Sequence, residues 1–288
     1  MLQFDIPAIV RQKAPKAHIP GFVIRYLERI THVEQMNRFL RHNPDLRGYD
    51  FIRKVVAEEL QCTASIEGVE NIPTDDKPVI FVSNHPLGGL DGMIIAEMIH
   101  NSRKAKSEGR KAKGERPLKV IVNDLLMYME PIADLWVPVS KISGQSREYA
   151  RQYQAAWEAD QDMLTFPAGA CSRKQKIDGQ WVIRDLEWQK SFVQKAQQYK
   201  RDVVPIYFEG QNSEFFYRLA YWRKKLGIKL NIEMLYLVDE MYGAHGKHFT
   251  VHVLPPIPYS TFDQSRTPKQ WAEYVKEIVE SQKLKVER

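Results

Sequence analysis

Cysteine is scarce in this chain. Only Cys62 and Cys171 occur, far apart and outside any CxxC or Cys/His ligand spacing, so neither a disulfide framework nor a zinc site is expected. Such usage suits a reducing cytoplasm. Long apolar runs are missing too: no segment approaches the roughly 18 uninterrupted apolar residues that span a bilayer. The opening stretch MLQFDIPAIVRQK places Asp5 and Pro7 in a brief apolar run and lacks the basic and apolar regions of a secretory signal. There is no internal repeat and no low-complexity tract. If membranes matter to this protein, the expectation is a cytoplasmic chain lying peripherally on the inner face of the cell membrane, not one crossing it.

Acidic residues fall short of basic ones. The balance of 42 Lys and Arg against 36 Asp and Glu leaves +6, which favours anionic lipid head groups, an acidic carrier protein, a phosphorylated ligand or nucleic acid. The densest basic run is Asn101 to Lys119, where Arg103, Lys104, Lys106, Arg110, Lys111, Lys113, Arg116 and Lys119 face only Glu108 and Glu115. Without apolar periodicity it reads as a solvated loop, or as a docking site for an acidic carrier or anionic lipid. Interleaved aromatics are lacking, so nucleic acid is not expected as a partner.

What is present is alternation. Val79 to Val82, Leu118 to Asn123, Leu135 to Val139, Met163 to Phe166, Val203 to Phe208 and Phe249 to Leu254 read as strands. Helical patterns cover Gln145 to Ala159, Trp188 to Tyr199 and Pro268 to Val286. In 288 residues this predicts a single-domain α/β sandwich with a largely parallel central sheet flanked by helices. Residues 1–64 form an N-terminal helical segment, 65–260 the α/β domain and 261–288 a C-terminal helix. Within the first segment, Phe22 to Leu40 predicts one amphipathic basic helix that either packs on the core or rests on a membrane. Asp50 to Leu60 predicts another, capped by Asp50, with Ser65 to Ile72 a strand and turn after it. Phe215 to Leu237 sets Phe215, Phe216, Leu219, Tyr221 and Trp222 beside Arg218, Arg223, Lys224 and Lys225. That mixture fits a lipid headgroup boundary or a core helix with a basic outer face.

The stretch with most chemistry is Val79 to His100. A strand runs into a polar turn carrying His85, Gly88, Gly89 and Asp91, and a helical pattern resumes at Met93. An imidazole at a strand's carboxyl end stands where open α/β sheets place their chemistry. Asp91 can fold back to hold the Nδ1 proton of His85, leaving Nε2 to accept one from a hydroxyl or amine. Asp91 is equally placed to be an ordinary helix cap. The two glycines allow the turn positive φ.

Asn84-His85-Pro86 with Asp91, Phe166-Pro167-Ala168-Gly169, and Val204-Pro205-Ile206 with Gly210 resemble, in order and spacing, the lysophospholipid acyltransferase family. They are most similar to its haemolysin-like branch, which includes the O-acyltransferases of ornithine and glycine lipids. The likeness runs from about Ser65 to Pro258 and takes in Asp185, Trp188, Asn212-Ser213 and Gly246-Lys247. It implies an α/β sandwich that moves a fatty acyl group from acyl carrier protein or coenzyme A to a lipid hydroxyl, with no metal and no further cofactor. It also implies His85 as base, Asp91 as its partner, and a substrate surface of Asn84, Gly88, Gly89, Lys141, Phe166, Pro167, Gly169, Ser172 and Arg173. Backbone N–H groups of the glycine-bearing turns would face the oxyanion.

Departures from the family pattern shape the expected acceptor. Five residues separate His85 from Asp91 where four are usual, so the turn must bulge. FPEGTRS has become FPAGACS: Ala168 removes an acid, Ala170 a hydroxyl, and Cys171 an arginine that would hold phosphate. Lys141 stands where a second phosphate-binding arginine is common, with Arg173 as a stand-in for the missing one. Losing a bidentate donor disfavours a glycerol-phosphate acceptor and favours an N-acylated amino acid bearing a 3-hydroxyacyl chain. The alternatives are a 1-acylglycerol-3-phosphate acyltransferase, a thioesterase, and a lipid- or carrier-binding protein without chemistry. Cys171 as a nucleophile is the weakest option, with no histidine near it in sequence.

Overall fold

The computed structural model describes residues 4–13, 19–73, 75, 77–108, 116–139 and 146–286. Its strands are β1 (Thr63–Glu67), β2 (Ile80–Ser83), β3 (Leu118–Asn123), β4 (Trp136–Val139), β5 (Asp162–Thr165), β6 (Arg173–Ile177), β7 (Gln180–Arg184), β8 (Val203–Phe208) and β9 (His248–Val253). Its α-helices are α1 (Ile6–Lys13), α2 (Gly21–Ile30), α3 (Val33–His42), α4 (Gly48–Lys54), α5 (Leu90–Glu108), α6 (Ser146–Glu158), α7 (Ser191–Tyr199), α8 (Glu214–Lys225), α9 (Leu237–Tyr242) and α10 (Pro268–Val286). One sheet has the order β1-β9-β8-β2-β5-β3-β4, parallel throughout except where β8 meets β9 antiparallel.

The central strands are apolar on both faces because both faces are covered. In β2, Phe81 points into a core built with α3, α4 and α5, whereas Ile80 and Val82 point into a second core built with α6, α7 and α10. β8 divides in the same way, Val204, Ile206 and Phe208 against Val203 and Tyr207. The expected α/β sandwich with a largely parallel sheet is what forms. No described helix is long and apolar enough to cross a membrane.

β2 lies between β8 and β5, so the carboxyl ends of three strands bring Asn84-His85, Glu209 to Ser213 and Phe166-Pro167 to one edge of the sheet. Asn84 ties two of them together. Its amide accepts from the N–H of Phe208 at 2.7 Å and donates to the Phe208 carbonyl at 3.0 Å, continuing the ladder by a side chain after β2 has ended.

Three local expectations need correction, and one element has no counterpart among them. Phe22 to Leu40 is two helices, broken at Thr31-His32, where His32 is left-handed (φ 48°); a tertiary stack on Tyr242 and a 2.8 Å bond to Asp239 hold the His32 ring. Arg47, not Asp50, occupies the cap of α4, and the chain then widens into a π turn over Val55–Glu59. Asn101 to Glu108 is not a loop but the last part of α5, whereas residues 109–115 lie outside the described residues. The β6–β7 hairpin was unforeseen, although its Asp178-Gly179 corner (φ 47° and 83°) is a strong short-range hairpin signal.

Arg103 explains why α5 continues. It is buried, and its guanidinium grips Asp162 at the start of β5 through bonds of 2.8 and 3.1 Å. The same carboxylate accepts the Val79 N–H at 2.9 Å, so helix and two strands share one ion pair. Arg103→Ala strands that carboxylate in the core and is expected to lower unfolding free energy by about 3–5 kcal/mol, measured by urea denaturation.

Candidate active site

The backbone between β2 and α5 is folded around Asp91, which has no exposed surface. Its Oδ2 accepts the Leu87 N–H at 2.9 Å and the Gly88 N–H at 3.4 Å, and its Oδ1 those of Gly89 at 3.0 Å and Gly92 at 2.8 Å. The partner reading holds, since Oδ2 also lies 3.1 Å from His85 Nδ1; the cap reading does not, because α5 begins at Leu90 and Asp91, within its first turn, organises the preceding turn instead.

Burial pushes the Asp91 pKa up, but the His85 charge and hydrogen bond and the backbone donors outweigh it and leave the carboxyl below its ordinary range. An ionised carboxylate can only accept, so Nδ1 of His85 carries the proton and Nε2 has the free lone pair. For His85 the strongest influence is again burial, here opposing the charged form. Asp91, with help from Asp185, overcomes it and raises the imidazole above its usual value. The side chain keeps 17% of its surface open and stacks on Phe166 at a centroid distance of 4.2 Å.

A second buried acid was not among the expected site residues. Asp185 Oδ1 accepts the His85 backbone N–H at 3.2 Å and the Ser172 hydroxyl at 2.6 Å, and its Oδ2 accepts the Trp188 indole N–H at 2.9 Å. The Ser172 N–H returns to the His85 carbonyl at 2.8 Å. Asp185 thus clamps the turn after β5 to the turn after β2. The clue in the sequence was the Asp185/Trp188 pair, a carboxylate with an indole donor three residues on.

Other expected residues have more particular places. Only Gly88 takes positive φ (78°), and a Cβ there would stand 3.0 Å from Leu237 and 3.1 Å from Cys171; Gly89 has neither feature. Gly169 (φ 64°) closes the Phe166-Pro167 turn by donating its N–H to the Phe166 carbonyl at 2.9 Å, and Pro167 accepts from Gln189. The N–H groups of Gly88, Gly89 and Gly169 are therefore already engaged, so the glycines themselves offer no free donor. Among the described residues, the N–H groups of Ala168 and Ala170 beside them donate to no protein acceptor.

Arg173 is turned inward. Its guanidinium donates to the Cys171 carbonyl at 2.6 Å and to Glu233 at 2.9 Å, and Glu233 also pairs with Arg223 at 2.8 Å. A side chain so committed is not an open phosphate clasp. Lys141 lies outside the described residues. Cys171 is fully buried, and burial pushes its thiol up to about 11, the opposite of what a nucleophile needs. No cluster of three or more His, Cys, Asp or Glu suited to a metal ion occurs among the described residues.

Comparison with known proteins decides the family. An acyltransferase family model matches residues 8–285. The chain belongs to that acyltransferase family. It is 46% identical over 277 residues to a lyso-glycine lipid O-acyltransferase of Bacteroides thetaiotaomicron, covering 96% of each chain. A protein of the same description from Phocaeicola vulgatus is 43% identical, covering 96% of this chain and 93% of that one. A solved structure, the 1-acyl-sn-glycerophosphate acyltransferase PlsC of Thermotoga maritima, gives a TM-score of 0.46 at 16% identity over 96% of this chain and 88% of its own, too distant to bear on the chemistry. The resemblance drawn from the motifs is borne out, and this acyltransferase is an enzyme.

Three outcomes follow from the two buried acids beside His85. A base at His85 would work in its neutral form, so kcat/KM is expected to rise with pH through an inflection above about 6.5. Asp91→Asn removes the charge that lifts it, moving the inflection to lower pH and cutting turnover about 100-fold or more. Asp185→Asn sets an amide NH2 against either the Trp188 indole or the His85 and Ser172 donors and is expected to cost about 1–3 kcal/mol of stability, measured by thermal unfolding.

Proposed function

We propose that this acyltransferase esterifies the 3-hydroxyl of an N-acylated amino acid, a lyso-glycine lipid, in aminolipid synthesis, taking the acyl group from a thioester. The observation that carries the mechanism is the 3.1 Å contact of His85 Nδ1 with buried Asp91, which leaves Nε2 as base. His85 Nε2 accepts the hydroxyl proton as the oxygen bonds to the thioester carbonyl carbon. The tetrahedral intermediate then collapses, the C–S bond breaks, and the departing thiolate takes the proton from His85, giving ester and free thiol. Ala168 and Ala170 N–H groups, not engaged elsewhere, are the donors nearest in sequence to Phe166 that could face the oxyanion.

The acceptor is read from two supports. The relatives that share nearly the whole chain are described as lyso-glycine lipid O-acyltransferases, and the turn where a phosphate-binding arginine is common holds Cys171, with Arg173 bound to Glu233. A carboxylated acceptor without a phosphate suits that site better than lysophosphatidic acid. The donor is acyl carrier protein or coenzyme A, both acidic, which suits a chain of charge +6. Peripheral association with the cytoplasmic face of a membrane completes the reading.

The test offers N-(3-hydroxyacyl)glycine and lysophosphatidic acid with one acyl thioester. Selective esterification of the glycine lipid is expected, with His85→Ala lowering it by about 1,000-fold or more while circular dichroism is unchanged. Preference for lysophosphatidic acid overturns the acceptor, fatty acid release without acceptor points to a thioesterase, and full activity in His85→Ala ends the mechanism.

A further inference from the structure

One side of the molecule exposes far more aromatic and aliphatic surface than scattered single residues would. On α8 and the chain after it, Trp222 is 49%, Leu226 69% and Leu230 70% exposed, with Phe215, Tyr221, Ile228 and Leu235 also open. Ring contacts make the surface continuous. Phe215 packs on Tyr236 at 5.0 Å, Tyr236 on Tyr26 of α2 at 6.4 Å, and Phe22 projects one helical turn before Tyr26. On the other side Trp222 meets Tyr221 at 5.7 Å, and Tyr221 meets Trp181 of the β6–β7 hairpin at 5.6 Å.

Cations outnumber acids on this face, with Asp178 at the hairpin tip an exposed acid on it. Residues 215–231 contain Arg218, Arg223, Lys224, Lys225 and Lys229 and no carboxylate, and Lys225 lies 4.7 Å over the Trp222 ring. Of the bordering acids, Glu214 pairs with Lys174 and buried Glu233 with Arg173 and Arg223, while Asp239 bonds to the His32 ring and Glu240 to Ser213. Aromatic rings among cations match the boundary between anionic head groups and acyl chains. The inner side of the same elements walls the catalytic turns: Phe216 and Tyr217 pack around Cys171, and Leu237 abuts Gly88.

We propose that α8, the segment to Tyr236, Phe22 and Tyr26 of α2, and the tip of the β6–β7 hairpin form one surface that seats the enzyme on an anionic lipid bilayer. The acceptor then reaches His85 without its acyl chain leaving the membrane. Only this last consequence rests on the proposed acyl-transfer reaction; seating does not.

The experiment is sedimentation with vesicles of phosphatidylcholine, with and without about 30 mol % phosphatidylglycerol. Wild-type protein is expected to bind the anionic vesicles, and less at high salt. Trp222→Gln/Leu226→Gln/Leu230→Gln is expected to bind at least about 100-fold more weakly, and Lys224→Gln/Lys225→Gln to lose roughly tenfold on anionic vesicles. Both variants should keep the wild-type melting temperature and wild-type turnover of a short-chain acceptor dissolved as monomers. Undiminished vesicle binding by the triple variant overturns the proposal. So does a wild-type dimer that the triple variant splits without any vesicle binding, which assigns the face to a second copy. If wild-type protein binds vesicles but esterifies no soluble acceptor, the reaction fails and the seating stands.

Discussion

Burying a carboxylate is costly unless donors surround it, and Asp91 meets that condition with four backbone N–H groups and one imidazole. The bulged turn between β2 and α5 is the shape that lets a chain aim Leu87, Gly88, Gly89 and Gly92 at one side chain. The His85 tautomer, the position of its ring and the first turn of α5 all depend on that carboxylate staying ionised. Five intervening residues where the family usually has four are accommodated because Gly88 takes a left-handed conformation with no room for a Cβ.

Asp185 performs the complementary task between elements. Asp91 organises a loop local in sequence, whereas Asp185 joins residues a hundred positions apart, the His85 backbone on one side and Ser172 with Trp188 on the other. Two buried acids flanking one histidine raise its basicity despite desolvation, the direction a general base near neutral pH requires. Glu233 adds a third inward acid, this one bridging Arg173 and Arg223 between the turns around His85 and the aromatic face.

The altered second motif takes on physical sense in this setting. Where an arginine would reach for phosphate, Cys171 is a small buried packing residue against Phe216, Tyr217 and Met234. The neighbouring arginine is spent on holding the segment after α8.

Strand order of use, the α/β class, the His85–Asp91 pair and the family were legible in the sequence, because period and motif spacing are local properties that survive without coordinates. The break at His32, the helical course of Asn101 to Glu108 and the inward turn of Arg173 were not, since each is decided by a distant partner: Tyr242 and Asp239, Asp162, and Glu233. The Asp178-Gly179 hairpin was legible and was missed. That β8, β2 and β5 are neighbours, so that three motifs scattered over more than a hundred residues share one edge, is a fact of sheet order. Pairing between strands is non-local, and only the folded chain fixes it.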